Sequence, residues 1–109
     1  MTLRDKLTPL AEMLSGCGAT YHYFHKAGEI PAIVWAEDGE EEPFNSDNKK
    51  SEQTIHVVID YYTETEFDPV VDAIQDGLGK IAGANWKYED VTYDDGTNVI
   101  HHAWEVWLG

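Results

Sequence analysis

Positive charge and cysteine are scarce in this chain: seven Lys and Arg stand against 21 Asp and Glu, and Cys17 is the single thiol among 109 residues. The shortage of cations leaves a formal charge of -14 at pH 7, which argues against nonspecific attraction to nucleic-acid phosphates and predicts repulsion between unshielded copies. A lone cysteine cannot close an internal disulfide. Ser15-Gly16-Cys17-Gly18 also lacks the paired spacing of a metal or redox motif, so a reducing compartment is the natural setting. Residues 2–14 are interrupted by Arg4, Asp5, Lys6 and Glu12, so neither a secretory signal nor a membrane span is expected, and the chain should be soluble. A phosphate-cradling glycine pattern is missing too: Gly77, Gly79 and Gly83 fall near the end of a predicted helix rather than at its start. No cofactor is expected.

What remains is apolar enough for a core. Hydrophobic residues make up 42% of the chain, with four Trp, six Tyr and three Phe, which excludes an acidic disordered tail. The length suits one domain, residues 1–109. Leu3, Leu7, Leu10 and Leu14 recur at helical spacing after a capping Thr2, with Pro9 expected to bend or shorten that helix. Thr20 to His25 and Ile30 to Ala36, separated by turn-like Lys26-Ala27-Gly28-Glu29, predict a hairpin. The polar stretch Glu37 to Glu52 predicts a long, mobile acidic loop.

Beyond the loop the alternation sharpens. Strand Thr54 to Tyr62 puts Ile55, Val57, Ile59 and Tyr61 on one face. A helix should begin at Asp68-Pro69, with Phe67, Val71, Ile74, Leu78 and Ile81 as its apolar stripe. Strands from about Trp86 to Tyr93 and from Val99 to Leu108 should be joined at Asp95-Gly96, the second with Ile100, His102, Trp104, Val106 and Leu108 on one face. The fold class is thus α+β, one sheet of about five strands, mixed or antiparallel, flanked by two helices. Val58, Tyr62 and Trp107 would face water unless a helix or another subunit covers them.

None of the chemistry-bearing residues assembles a motif. His22 and His25, like His101 and His102, point to opposite faces of a strand, so neither pair chelates and no metal site is expected. Asp94-Asp95-Gly96 lacks the spacing of a calcium loop. Glu40-Glu41-Glu42, Glu64 and Glu66 could serve acid–base chemistry only if burial raised a pKa, and Cys17 has no nucleophile motif around it. No catalytic residue is assigned, and the chain is read as a non-enzyme.

The segments Pro31-Ala32-Ile33-Val34-Trp35, Ser46-Asp47-Asn48, His56 to Tyr62, Phe67 to Ile74 and Ala103-Trp104-Glu105-Val106-Trp107 resemble the tail terminator, or tail-completion, proteins of long-tailed bacteriophages and prophages. The resemblance implies a small α+β subunit that forms a homo-oligomeric ring, a hexamer, capping the tail-tube protein and meeting the head–tail connector protein. It implies no sequence-specific nucleic-acid binding, and a place in the virion tail after assembly in the host cytoplasm. Candidate interface residues are Trp35, Glu40, Glu41, Glu42, Phe44 and Trp107. An acidic wall would let DNA slide past, consistent with the charge. The alternative is an acidic binding module, a DNA mimic whose Glu37 to Asp47 charges occupy a basic partner surface.

Overall fold

Thr2 starts the first helix. In a computed structural model that describes residues 2–24, 29–41 and 54–109, with Glu40 and Glu41 described by backbone alone, its Oγ1 accepts from Asp5 N at 3.1 Å. Asp5 Oδ2 in turn accepts from Thr2 N at 3.0 Å. This reciprocal capping box opens α1, Leu3–Cys17. Leu7, Leu10 and Leu14 are buried and Leu3 is exposed. Pro9 lies inside α1 without shortening it, because burial of Leu10 and Leu14 beyond it holds the later turns against the sheet.

Five strands follow in one sheet: β1 (Thr20–His22), β2 (Ala32–Glu41), β3 (Thr54–Thr63), β4 (Ala84–Asp94) and β5 (Val99–Leu108). Their spatial order is β1-β2-β3-β5-β4. All neighbours are antiparallel except β1 and β2, so the sheet is mixed, as the α+β reading allows.

The parallel pair overturns the expected hairpin. Thr20 pairs with Ile33 and His22 with Trp35, so β2 runs alongside β1 rather than back against it. Three strand residues span only about 10 Å, a distance residues 23–31 can retrace. Tyr23, at φ 79°, turns the chain out of the sheet after three pairs. His25, Lys26, Ala27 and Gly28 lie outside the described residues.

The acidic loop is corrected at its start. β2 continues through Glu41, pairing Glu37 with Val57, Gly39 with His56 and Glu41 with Thr54. The ten-residue β3 offers an unbroken row of backbone partners, and pairing overrides the polar composition of residues 37–41. The shift at Glu37/Gly39 leaves Asp38 as an extra residue, and Gly39 takes φ 130°, which only glycine accepts readily. The rest of the expected loop, 42–52, lies outside the described residues.

Helix α2, Pro69–Gly79, starts where its Asp-Pro signal placed it. Ile74 and Leu78 are buried, with Val70, Val71 and Ile81 packed partly against the core. Phe67 is not part of that stripe: it is 92% exposed at φ 55°. A hydrophobic residue before the cap is held when its partner four residues into the helix is apolar, and here that position is Asp72.

Both helices lie on the same face of the sheet. The core joins Leu7, Leu10 and Leu14 of α1 and Ile74 and Leu78 of α2 to Ile33, Trp35, Ile55, Val57, Ile59, Tyr61, Trp104, Val106 and Leu108. The β4–β5 turn spans residues 95–98, with Asp94 paired to Val99. The left-handed residue is Asn98, at φ 61°, rather than Gly96. In β4 a register shift between Tyr88 and Asp90 makes Glu89 an extra residue.

Candidate functional site

The helix-free face of the sheet is built by the alternate residues of the same strands. Ladder partners share a face, so Val34, Ala36, His56, Val58, Asp60 and Tyr62 stand with His101, Ala103, Glu105 and Trp107. Among the described residues no helix covers them. Of the two coverings expected for Val58, Tyr62 and Trp107, a helix or a second subunit, neither α1 nor α2 supplies the helix, since both pack on the other face.

Carboxylates and imidazoles pair across this face. His56 on the central β3 meets Asp38 Oδ1 through Nδ1 at 2.6 Å and Glu105 Oε1 through Nε2 at 3.2 Å. Only an imidazolium can donate to both oxygens at once. Burial pulls the His56 pKa down, but the Asp38 hydrogen bond and the charges of Asp38 and Glu105 outweigh it, so the pKa lies above the ordinary histidine value. Nearby, His101 Nε2 lies 2.7 Å from Asp60 Oδ1, and its ring stacks on Tyr62 with centroids 4.5 Å apart. His56 leans against Trp107, at 5.4 Å. Several of the face's charges are thus paired within the chain, leaving an aliphatic and aromatic surface crossed by polar links.

On the opposite face, Asp68 is held by three donors. Its Oδ2 accepts from Tyr61 OH and Thr63 Oγ1, both at 2.7 Å, and its Oδ1 accepts from Val70 N at 2.9 Å. Burial raises its pKa, yet the donors from Tyr61, Val70 and Thr63 outweigh it and hold the carboxyl below its usual range. Tyr61 is pushed up to about 12, by burial first and by Asp68 second. An acid with its lone pairs occupied in this way is a helix cap and a core hub, not a general base. His102 is lowered by burial, against the pull of Asp68, and its Nδ1 lies 2.7 Å from Tyr88 OH. Cys17 is partly buried, and burial pushes its thiol up, away from nucleophilic reactivity. Among the described residues no group of three or more His, Cys, Asp or Glu side chains could hold a metal ion, and no helix is long and apolar enough to cross a membrane.

Trp107 stands on the helix-free face, and the structure brings it to His56. Trp35 is placed in the core, 5% exposed, with the His22 ring stacked on it at 3.9 Å, so it offers no anchor on the surface of a single chain. The backbones of Glu40 and Glu41 pair with Ile55 and Thr54 in β2, while Glu42 and Phe44 lie outside the described residues. Five exposed aromatics escape the sequence reading: Tyr23, Phe24, Tyr88 and Tyr93, taken simply as strand residues, and Phe67, absorbed there into a helix stripe. The signal for Phe67 is the acidic residue at the position where its packing partner should stand.

No protein-family model matches the chain, and no match occurs among the curated proteins.

Proposed function

We propose that the chain is a structural assembly subunit of the tail-terminator kind, which closes a homo-oligomeric ring on a tail tube and meets a head connector, without catalysis. One observation carries the reading: both helices occupy one face of the sheet, leaving the other with Val58, Tyr62 and Trp107 among paired charges. A face of that composition suits burial against a second copy. Asp38, Glu105 and Asp60 each already face an imidazole nitrogen within the chain, so burying the face does not leave these carboxylates without a polar partner. The acidity of the chain agrees with a wall past which DNA slides.

Sedimentation at several protein concentrations tests this reading. A discrete ring should form as concentration rises and should be favoured by moderate salt, which screens the like charges of neighbouring subunits. Val58→Asp should keep the chain monomeric with its circular dichroism unchanged. A wild-type chain that stays monomeric at high concentration in salt defeats the ring, and tight one-to-one binding of a basic DNA-binding protein by that monomer would favour the DNA-mimic alternative.

A further inference from the structure

On the helix-bearing side, the β4–β5 hairpin passes the N-terminal end of α2 and leaves a groove between them. Its outer part, about 550 Å³, is lined by Glu64, Glu66, Tyr93 and Ile100. Its inner part, about 340 Å³, shares Glu66 and Ile100 and continues along Phe67, Val71 and Asp72 to His102. Tyr93 is 61% exposed. Its hydroxyl donates to Asn98 Oδ1 at 2.9 Å, which steadies the ring at the hairpin end.

Phe67 projects from this groove for a local reason. Asp68 precedes a proline, which confines it to extended backbone, here ψ 123°, and its side chain is held by three donors. On the other side Thr65 N donates to Thr63 Oγ1 at 3.1 Å, closing a turn. Fixed from both ends, Phe67 takes a left-handed conformation that a bulky residue adopts at a cost, and the ring is left in water. Among the described residues no packing contact buries the Phe67 ring, which is left 92% exposed.

The charges at the groove are one-sided. Glu64, Glu66 and Asp72 line it, and among the described residues none of them forms an ion pair. We infer that the groove between α2 and the β4–β5 hairpin docks a segment of a partner protein that is both basic and apolar. An apolar side chain of the segment packs among Phe67, Val71, Tyr93 and Ile100, and its lysines or arginines meet Glu64, Glu66 and Asp72. Charge complementarity separates this occupant from a second copy, which would bring 21 acids and only seven Lys and Arg to an already acidic rim. The groove lies on the other side of the sheet from the face assigned to ring closure, so it stands whether or not the ring does.

Fluorescence anisotropy with the full chain and a labelled peptide of alternating Leu and Lys tests the inference. The peptide should bind saturably at low salt. Phe67→Ser should weaken it about tenfold or more, as removal of an aromatic anchor does. Glu66→Lys should weaken it severalfold, and Glu12→Lys on α1 should leave it unchanged. Circular dichroism should match wild type throughout, since Phe67 and Glu66 are exposed. Three results overturn the inference: no binding of the Leu-Lys peptide, equal affinity for a lysine-only peptide of the same length, or an unchanged affinity in Phe67→Ser. Self-association of the chain that is lost in Phe67→Ser also overturns it, because the occupant would then be a second copy. Failure of the ring registers in sedimentation of unmodified protein and leaves these measurements standing.

Discussion

His56 Nε2 lies 3.2 Å from Glu105 Oε1 on the neighbouring strand, while its other ring nitrogen is engaged by Asp38 at 2.6 Å. One protonated ring therefore ties β2, β3 and β5 together. Because the folded pKa lies above the ordinary value, this contribution is complete below the ordinary histidine pKa and is lost as pH rises through the folded one. His102 is shifted in the opposite direction, and its contribution is lost as pH falls. Urea denaturation of wild type and His56→Gln at about pH 6 and about pH 8.5 isolates the His56 part. The stability gap between the two proteins should be larger at the lower pH, and an equal gap at both would show that His56 is not held as an imidazolium.

Trp104 is fully buried at the centre of β5, and its indole N–H donates to Gln75 Oε1 at 3.2 Å, linking sheet and α2. Trp104→Ala should cost about 3 to 5 kcal/mol in a denaturant titration. A change near zero would mean that the faces of β5 are reversed.

Gly77 of α2 lies against Met13 of α1, where an added Cβ would overlap Met13 Cγ and Sδ. Gly77→Ala should therefore lower stability by up to about 2 kcal/mol, although alanine is the better helix former. In a Met13→Ala background the same substitution should instead raise stability, by about 1 kcal/mol. A double-mutant cycle reads this reversal, and the same sign in both backgrounds would place the helices further apart.

Phe67→Gly separates folding from docking. Releasing a left-handed side chain relieves about 1 to 2 kcal/mol, and the extra freedom of glycine in the unfolded chain takes back about 0.5 to 1 kcal/mol. Thermal denaturation should find the variant as stable as wild type or slightly more so. A marked loss of stability would give Phe67 a packing role within the single chain.

Burial patterns were the most legible part of the fold. Ile55, Val57, Ile59 and Tyr61 alternate without interruption, which is enough to place β3 and its inner face, and the same holds for Trp104, Val106 and Leu108 in β5. Asp68-Pro69 marks the start of α2 because one residue caps and the next can begin a helix. Direction was harder to read. Lys26 to Glu29 signals a break in the chain, but whether β1 and β2 then run together or opposed depends on partners distant in sequence. The acids of Glu37 to Glu41 are polar enough for a loop and become strand because β3 is long enough to pair with them. Phe67 fits helical spacing, yet its backbone angle comes from the turn before it and the cap after it, which spacing does not encode.

Glu89 has no partner residue of its own in the β4–β5 ladder, and it reconciles two sequence parities. Trp86 and Tyr88 ahead of it pair with Val106 and Trp104, while Val91 and Tyr93 after it pair with His102 and Ile100, so all four lie on the helix-bearing side despite the odd interval. Removing Glu89 would leave every one of those pairings possible in an unbroken ladder. What would change is curvature, since an extra residue bends its strand and increases the local twist. The tip carrying Tyr93 would swing relative to α2 while each side chain kept its face. The width of the groove is thus set by the length of one strand, through a residue that does not line it, and chains differing only by a deletion there would share a fold while grasping differently sized segments.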